Sequence, residues 1–213
     1  MIVTPKITLS HKPHQFADMR NFLGCFFNIS LKGEVWGWAL FYGGIVGLAF
    51  GSAHYHLKPD DSRVMWDTLP MMIAYSSLFS SFMAERVGQR AGLICLFGLL
   101  LIVLLSTAYA RTFNDLQLCM MFQLIPCIAI PAMTFLYPPK YTHSRYWLWA
   151  AGVCLLAKFE DALDKKIYNV NRYLISGHSL EHLCSAAIPV LFAIMLIHRT
   201  IRFQRLGDLK ERP

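Results

Sequence analysis

Residues 91–110 read AGLICLFGLLLIVLLSTAYA, a leucine-rich run without a charged side chain. A helix of about 20 residues is about 30 Å long, which matches the thickness of the hydrocarbon core of a bilayer. An uncharged run of this length is typical of a membrane-spanning helix. The stretch therefore predicts a membrane protein.

The composition of the whole chain favours the same class. Of its 213 residues, 55% are hydrophobic, 14% are aromatic and 15% are charged. Soluble domains usually carry about a quarter charged residues, and disordered chains have few aromatic ones, so both classes are disfavoured. The six cysteines form no CxxC pair and are interpreted as small apolar packing residues. A polytopic membrane protein of one domain remains.

Six stretches are predicted to span the membrane, so the expected fold is an all-α, polytopic transmembrane helix bundle. The predicted spans are residues 35–57, 64–85, 91–110, 116–137, 145–166 and 174–198. The fifth is the weakest, because only its first half, residues 146–157, is free of charge. Its second half is expected either to leave the membrane early or to face a polar interior.

The basic residues predict the orientation. With six spans both termini lie on one side, and thirteen of the 20 lysines and arginines fall on that side. By the positive-inside rule it is the cytoplasmic side. The predicted units are a non-spanning N-terminal segment (1–32), a transmembrane domain (33–199) and a basic cytoplasmic tail (200–213).

The partner expected from this layout is the lipid bilayer. The basic residues from Arg199 to Arg212 are interpreted as an anchor at an anionic leaflet. Nucleic-acid binding is disfavoured, because the basic residues flank spans and form no patch on a folded domain. The short loops and the lack of a signal-peptide pattern predict an integral protein of a bacterial inner membrane.

Five polar residues lie at the non-cytoplasmic ends of predicted spans. Ser52 and His56 are close to the end of the first span, Asp67 is at the start of the second, and His178 and His182 are at the start of the sixth. Consecutive spans alternate in direction, so these ends lie on the same side of the membrane. We expect the five residues to converge near the outer leaflet.

The histidines predict a metal site. His178 and His182 are four residues apart, which places them on one helical face. A third imidazole would leave one position of a tetrahedral zinc open to water, as in catalytic zinc sites. Either His54 or His56 could supply it, and spacing does not choose between them. The pair could also be interfacial histidines or axial ligands of a haem.

Ser52 and Asp67 have the chemistry that such a site needs. The Asp67 carboxylate could accept a proton from a metal-activated water, and the Ser52 hydroxyl could hydrogen-bond the water or an oxyanion. The alternatives are structural, because Asp67 could cap the second helix and Ser52 could be a small helix-packing residue.

Three charged residues of the fifth span form a second group. Lys158, Asp161 and Asp164 are three residues apart and lie along one stripe of a helix. At the non-cytoplasmic end they could hydrogen-bond the metal-binding histidines and so fix the orientation of the imidazole rings. They could equally form a salt-bridged helix end at the interface.

Three motifs resemble the alkaline ceramidase family, part of the CREST superfamily of membrane hydrolases. That family has S-x3-H late in one span, an Asp at the head of the next span and H-x3-H in the last span. The corresponding stretches are GSAHYH at 51–56, WDTLPM at 66–71 and SGHSLEH at 176–182. Asp67 follows His56 by eleven residues, a gap that the ceramidases share.

The resemblance implies a zinc ion held by His56, His178 and His182, with His56 preferred to His54. Ser52 and Asp67 would contact the zinc-bound water and the substrate carbonyl. The family cleaves the amide of ceramide-type lipids. The expected function is therefore a zinc-dependent amidohydrolase acting on a ceramide-like or other N-acyl membrane lipid.

The chain departs from the family in its span count. The family has seven spans and this chain is predicted to have six, so the family's first span is expected to be absent. Its acidic calcium-binding segment would be reduced to Asp18, and calcium is not carried over. Two other hypotheses stay open: a non-catalytic receptor-like or structural protein that retains a metal site, and a bis-histidine haem protein, which the Ser and Asp motifs disfavour.

Overall fold

A computed structural model describes residues 29, 32–58, 60, 63–170, 172 and 174–200, without the side chains of Lys32, Asp161 and His178. Within these residues the chain has seven α-helices and no β-strand. The helices are α1 (Lys32–Leu57), α2 (Val64–Arg86), α3 (Gln89–Phe113), α4 (Gln117–Leu136), α5 (Arg145–Ala162), α6 (Asp164–Val170) and α7 (Gly177–His198). The predicted N-terminal segment and basic tail lie almost entirely outside the described residues.

The prediction of an all-α fold is confirmed, but the fifth predicted helix is wrong in its second half. Residues 145–166 do not form one helix, because α5 ends at Ala162 and α6 begins at Asp164. The break falls among charged residues, and α6 has no buried residue. The last helix begins at Gly177 rather than at residue 174. Ser176 caps this helix, because its hydroxyl accepts a hydrogen bond from the backbone N–H of Ser179 at 3.1 Å.

Four helices are long and apolar enough to cross a membrane, fewer than the six predicted spans. They are α1, α3, α4 and α7, over residues 33–57, 89–113, 117–136 and 179–198. Neither α2 nor α5 reaches the same combination of length and composition. In α5 the reason is the charge that begins at Lys158.

In α2 the reason is its polar composition, with four serines in the second half of the helix. Its serines are buried, and the hydroxyls of Ser76, Ser77 and Ser81 donate to carbonyl oxygens one turn earlier on the same helix. Ser80 donates instead to the Gly92 carbonyl of α3 at 2.8 Å. A helix that is surrounded by protein can carry such satisfied hydroxyls, so its hydropathy is low.

Three glycines bring α1 and α2 into close contact. Gly37, Gly44 and Gly51 are seven residues apart, and their shared face of α1 lies on α2. A Cβ added at Gly44 would lie 3.0 Å from α2 backbone atoms, and one at Gly51 would collide with the Trp66 carbonyl oxygen. The contact therefore holds the end of α1 directly against the start of α2.

An aromatic core joins α1, α2, α5 and α7. Trp147 of α5 lies at its centre, with ring centroids 5.7 Å from Trp38, 5.1 Å from Phe82 and 4.9 Å from Phe192. All four side chains are at most 1% exposed. Such tilted and edge-on pairs add to the free energy of burial.

A buried charge cluster lies beside this core, at the end of the bundle where α1 begins. It consists of Glu34, Glu85, Arg86 and Arg199, all at most 5% exposed. Arg199 Nη2 lies 2.6 Å from Glu34 Oε2, and Arg86 Nε lies 3.5 Å from Glu85 Oε1. The Trp147 indole donates to Glu85 Oε2 at 3.0 Å. The cluster links α1, α2, α5 and the residue that follows α7.

The position of Arg199 corrects the prediction that it begins a lipid-binding basic segment. Its side chain is buried against Glu34, and the guanidinium carbon lies 4.1 Å from the centroid of the Tyr141 ring. Two buried carboxylates and an aromatic face surround this cation, so its side chain is not available to a leaflet surface.

The interpretation of every cysteine as a packing residue is wrong for one pair. The Sγ atoms of Cys127 and Cys154 are joined in a disulfide, which links α4 to α5. Among the described cysteines, Cys95, Cys119 and Cys184 are free thiols.

The glycine contact predicts opposite effects for two neighbouring substitutions. Gly51→Ala should lower the free energy of unfolding by about 1–3 kcal/mol, because its methyl group meets backbone. Gly43→Ala, with nothing within 4 Å of its Cβ, should be neutral or stabilising by up to about 1 kcal/mol. Denaturant unfolding in mixed micelles measures both. Equal effects would contradict the close contact.

The buried charge cluster predicts a large cost for removing one partner. Arg199→Met should destabilise the protein by about 3–5 kcal/mol in the same assay, because Glu34 is left buried without its cation. Adding Glu34→Gln should recover part of that loss. Arg90→Met, at an exposed position of α3, is the control and should change stability by less than about 0.5 kcal/mol.

Candidate active site

The end of α1 and the start of α7 bring two of the predicted histidines together. The rings of His56 and His182 are 5.5 Å apart between centroids and inclined at 81°. His178 lies one turn before His182 on α7, and its side chain is outside the description. The expected convergence of helix ends therefore holds for His56 and His182.

The structure also distinguishes the two histidines at the end of α1. The His54 ring packs edge-on against Trp66 of α2, with centroids 5.9 Å apart. His56 instead turns toward α7 and lines a cavity, whereas His54 does not. Spacing alone could not choose between them, because both lie in the last turn.

The cavity lies between α1, α2 and α7 and has a volume of about 430 Å³. Ser52, His56 and His182 all contribute to its wall. Most of the remaining wall is apolar, formed by Phe41, Ile45, Leu48, Ala49, Ala53, Met71, Ala74, Leu78, Ala186, Ile188 and Pro189. An apolar cavity of this size with a few convergent polar groups is typical of a small-molecule site.

Two further polar residues of the wall were missed by the sequence analysis. Ser185 follows His182 by three residues on α7, so helical spacing could have identified it. Tyr75 lies in the middle of α2, and its hydroxyl is 3.5 Å from Cys154 Sγ. Nothing in the sequence around Tyr75 distinguishes it from a core aromatic residue.

Asp67 is in the first turn of α2 and does not line the cavity. Met71, one turn further along the same face, does line it, so Asp67 lies above the cavity at the histidine end. Its Oδ1 atom is buried and has no hydrogen-bond partner among the described residues. The N-cap residue is Arg63, so Asp67 does not cap the helix as the structural alternative proposed.

Of the three charged residues predicted to support the histidines, the structure places Lys158 and Asp164 but not the side chain of Asp161. Lys158 Nζ lies 2.6 Å from Oε1 of Glu181, the residue just before His182. Asp164 begins α6, with its backbone packed against Gly177, and the Asp161 side chain is outside the description. The Lys158–Glu181 ion pair therefore ties α5 to the turn of α7 that carries the histidines.

No group of three or more histidine, cysteine or acidic side chains within the described part of the chain is arranged to hold a metal ion. That set does not include the side chain of His178, the third histidine expected from the sequence.

Comparison with known proteins adds no family to this geometry. No family model matches the chain, and no curated protein or solved structure is significantly similar to it.

The Lys158–Glu181 ion pair predicts a position-specific loss of stability. Lys158→Met should destabilise the protein by about 1.5–3 kcal/mol, because Glu181 is 7% exposed and loses a charge-assisted hydrogen bond. Lys165→Met, at an exposed position of α6, is the matched control and should have little effect. Equal unfolding free energies for the two variants in mixed micelles would contradict the role of the ion pair.

Proposed function

We propose that this protein is a membrane-bound, zinc-dependent hydrolase that cleaves the amide bond of a ceramide-like or other N-acyl lipid. The observation that carries the proposal is the contact of His56 with His182 in the wall of an apolar cavity that Ser52 also lines. His56 and His182 come from separate helices and are more than 120 residues apart in sequence. The resemblance of the three motifs to the alkaline ceramidases points to the same chemistry.

The distance between the two described histidines supports a shared zinc ion. Two imidazoles on one tetrahedral zinc, with Zn–N bonds of about 2.0–2.1 Å, have ring centroids roughly 5 Å apart. The observed separation of 5.5 Å is close to that value. His56, His178 and His182 would hold the metal, since His178 is one turn from His182 on the same face of α7.

Bound there, zinc would act as a Lewis acid on the substrate carbonyl and would lower the pKa of a water molecule to about 7. Asp67, whose buried Oδ1 has no described partner, would accept the proton of that water. Ser52 would donate a hydrogen bond to the carbonyl oxygen as charge develops on it. The water oxygen would join the acyl carbon, the amide C–N bond would break, and Asp67 would return the proton to the departing amine.

The shape of the cavity supports a lipid substrate. Ser52, His56 and His182 lie toward one end of the cavity, and the wall that continues along α1 and α2 away from them is apolar except for Tyr75. An acyl chain would occupy the apolar part and place the amide beside the histidines. Nothing in the cavity wall specifies ceramide over another N-acyl lipid.

We assign six membrane-crossing helices to the protein, with both termini cytoplasmic and the histidines near the outer leaflet. At 1.5 Å per residue, the 23 residues of α2 are about 34 Å long and the 18 residues of α5 about 27 Å. The low hydropathy of α2 is compatible with crossing, because its polar side chains face protein. The distribution of basic residues supports the orientation.

The metal is tested first, by plasma mass spectrometry of the full chain purified in detergent. Wild type should contain about one zinc per chain, and His56→Ala and His182→Ala should lose it. His54→Ala is the matched control, because it removes a neighbouring histidine that packs on Trp66, and it should retain zinc. A wild-type protein without zinc would overturn the proposal.

Hydrolysis is tested next, by the release of fatty acid from ceramide and from other N-acyl lipids. Ser52→Ala and Asp67→Asn should retain zinc and lose at least about 100-fold in kcat. Zinc binding without turnover of any N-acyl lipid would contradict the enzyme proposal and favour the non-catalytic alternative.

A further inference from the structure

A second groove lies on the other side of the α1–α2 pair. It is bounded by α1, α2 and the end of α3, and its volume is about 420 Å³. Gly43, Gly44 and Gly47 form its α1 side, and a Cβ at Gly43 would have no atom within 4 Å. From Leu40 to Gly47 the groove is about 10 Å long, at 1.5 Å per residue.

The rest of its wall is apolar except at one end. Met65, Leu69, Pro70 and Ile73 of α2 line it, whereas Thr107 and Arg111 close it at the last turns of α3. No acidic side chain lines the groove, and Arg111 is exposed and makes no ion pair with any residue that the structure describes.

Trp66 lies at the end of the groove that Arg111 closes, and it indicates where the membrane interface crosses the groove. Trp66 lines the groove and is 59% exposed. Tryptophan is enriched where the hydrocarbon core meets the headgroups. The cation of Arg111 therefore lies at headgroup depth, with the apolar part of the groove below it.

We propose that this groove is a binding site for an anionic phospholipid, separate from the histidine cavity. The phosphate of the lipid pairs with the Arg111 guanidinium, and one acyl chain lies along the glycine face of α1. Arginine binds phosphate oxygens through its planar fork of N–H donors. The site is independent of the proposed hydrolase activity, since none of its residues lines the histidine cavity.

The charge favours a lipid over a second copy of this chain. Gly43 and Gly47 have the small-xxx-small spacing that lets two helices pack closely. A second copy that packed through its own α1 would bring no carboxylate to Arg111. The described part of α1 offers only Glu34, which is buried with Arg199 at the opposite end.

The test is native mass spectrometry of the full chain in detergent, with phosphatidylglycerol and phosphatidylcholine of identical acyl chains. Wild type should bind phosphatidylglycerol about tenfold more tightly, because the choline cation of phosphatidylcholine neutralises the phosphate charge that pairs with Arg111. Arg111→Gln should bind the two lipids equally. Gly43→Leu, which fills open space in the groove, should weaken both by about tenfold.

Two control variants separate this site from general lipid binding. Arg63→Gln removes a positive charge at the same end of the bundle, outside the groove. Gly152→Leu adds the same side chain at an open position of α5. Both should bind the two lipids as wild type does.

Several results would overturn the proposal: no lipid preference in wild type, a preference that persists in Arg111→Gln, or full binding by Gly43→Leu. A wild-type dimer that Gly43→Leu dissociates would overturn it in favour of a second copy. Arg111→Gln alone tests the preference for phosphatidylglycerol. Because Arg111 is exposed, this variant should fold normally, and the test does not depend on how well Gly43→Leu folds.

Discussion

The backbone of α1 lies directly on that of α2 because Gly37, Gly44 and Gly51 present no side chain to it. The contact extends over about 21 Å of helix, from one end of the bundle toward the other. At its far end it holds the turn that carries Ser52 and His56 against the first turn of α2, where Asp67 lies. The geometry of the candidate site therefore depends on a packing constraint along the whole α1–α2 pair, and α7 completes it by bringing His182 to 5.5 Å from His56.

The two ends of the bundle carry different polar chemistry. At the end where α1 begins, two carboxylates and two guanidinium groups neutralise one another in a buried cluster, and Trp147 donates a hydrogen bond to Glu85. Such a cluster is costly to desolvate and tolerates the loss of a partner badly, so it suits a structural clamp. At the histidine end the polar side chains instead line a cavity, and Asp67 has a buried oxygen without a described partner.

The α1–α2 pair also separates two cavities of similar volume. One contains the histidines and lies toward α7, whereas the other lies toward α3 and ends at Arg111. Their polar groups differ in the ligand they suit. Imidazoles and a hydroxyl suit the proposed metal and carbonyl, while the exposed guanidinium of Arg111 suits the proposed phosphate. The proposed substrate and the proposed phospholipid would thus lie back to back across two helices.

Much of the fold and part of the candidate site could be predicted from the sequence. The uncharged runs located most of the helices. In an apolar environment each segment must satisfy its own backbone N–H and C=O groups, and an α-helix does so with hydrogen bonds between residues four apart. Alternating helix directions then predicted that His56 and His182 would meet. The structure alone decided that Arg199 pairs with Glu34, that Cys127 joins Cys154 and that Tyr75 lines the cavity. These features depend on which helix faces are neighbours. That choice results from packing between residues far apart in the chain, and hydropathy and spacing along one helix carry no information about it.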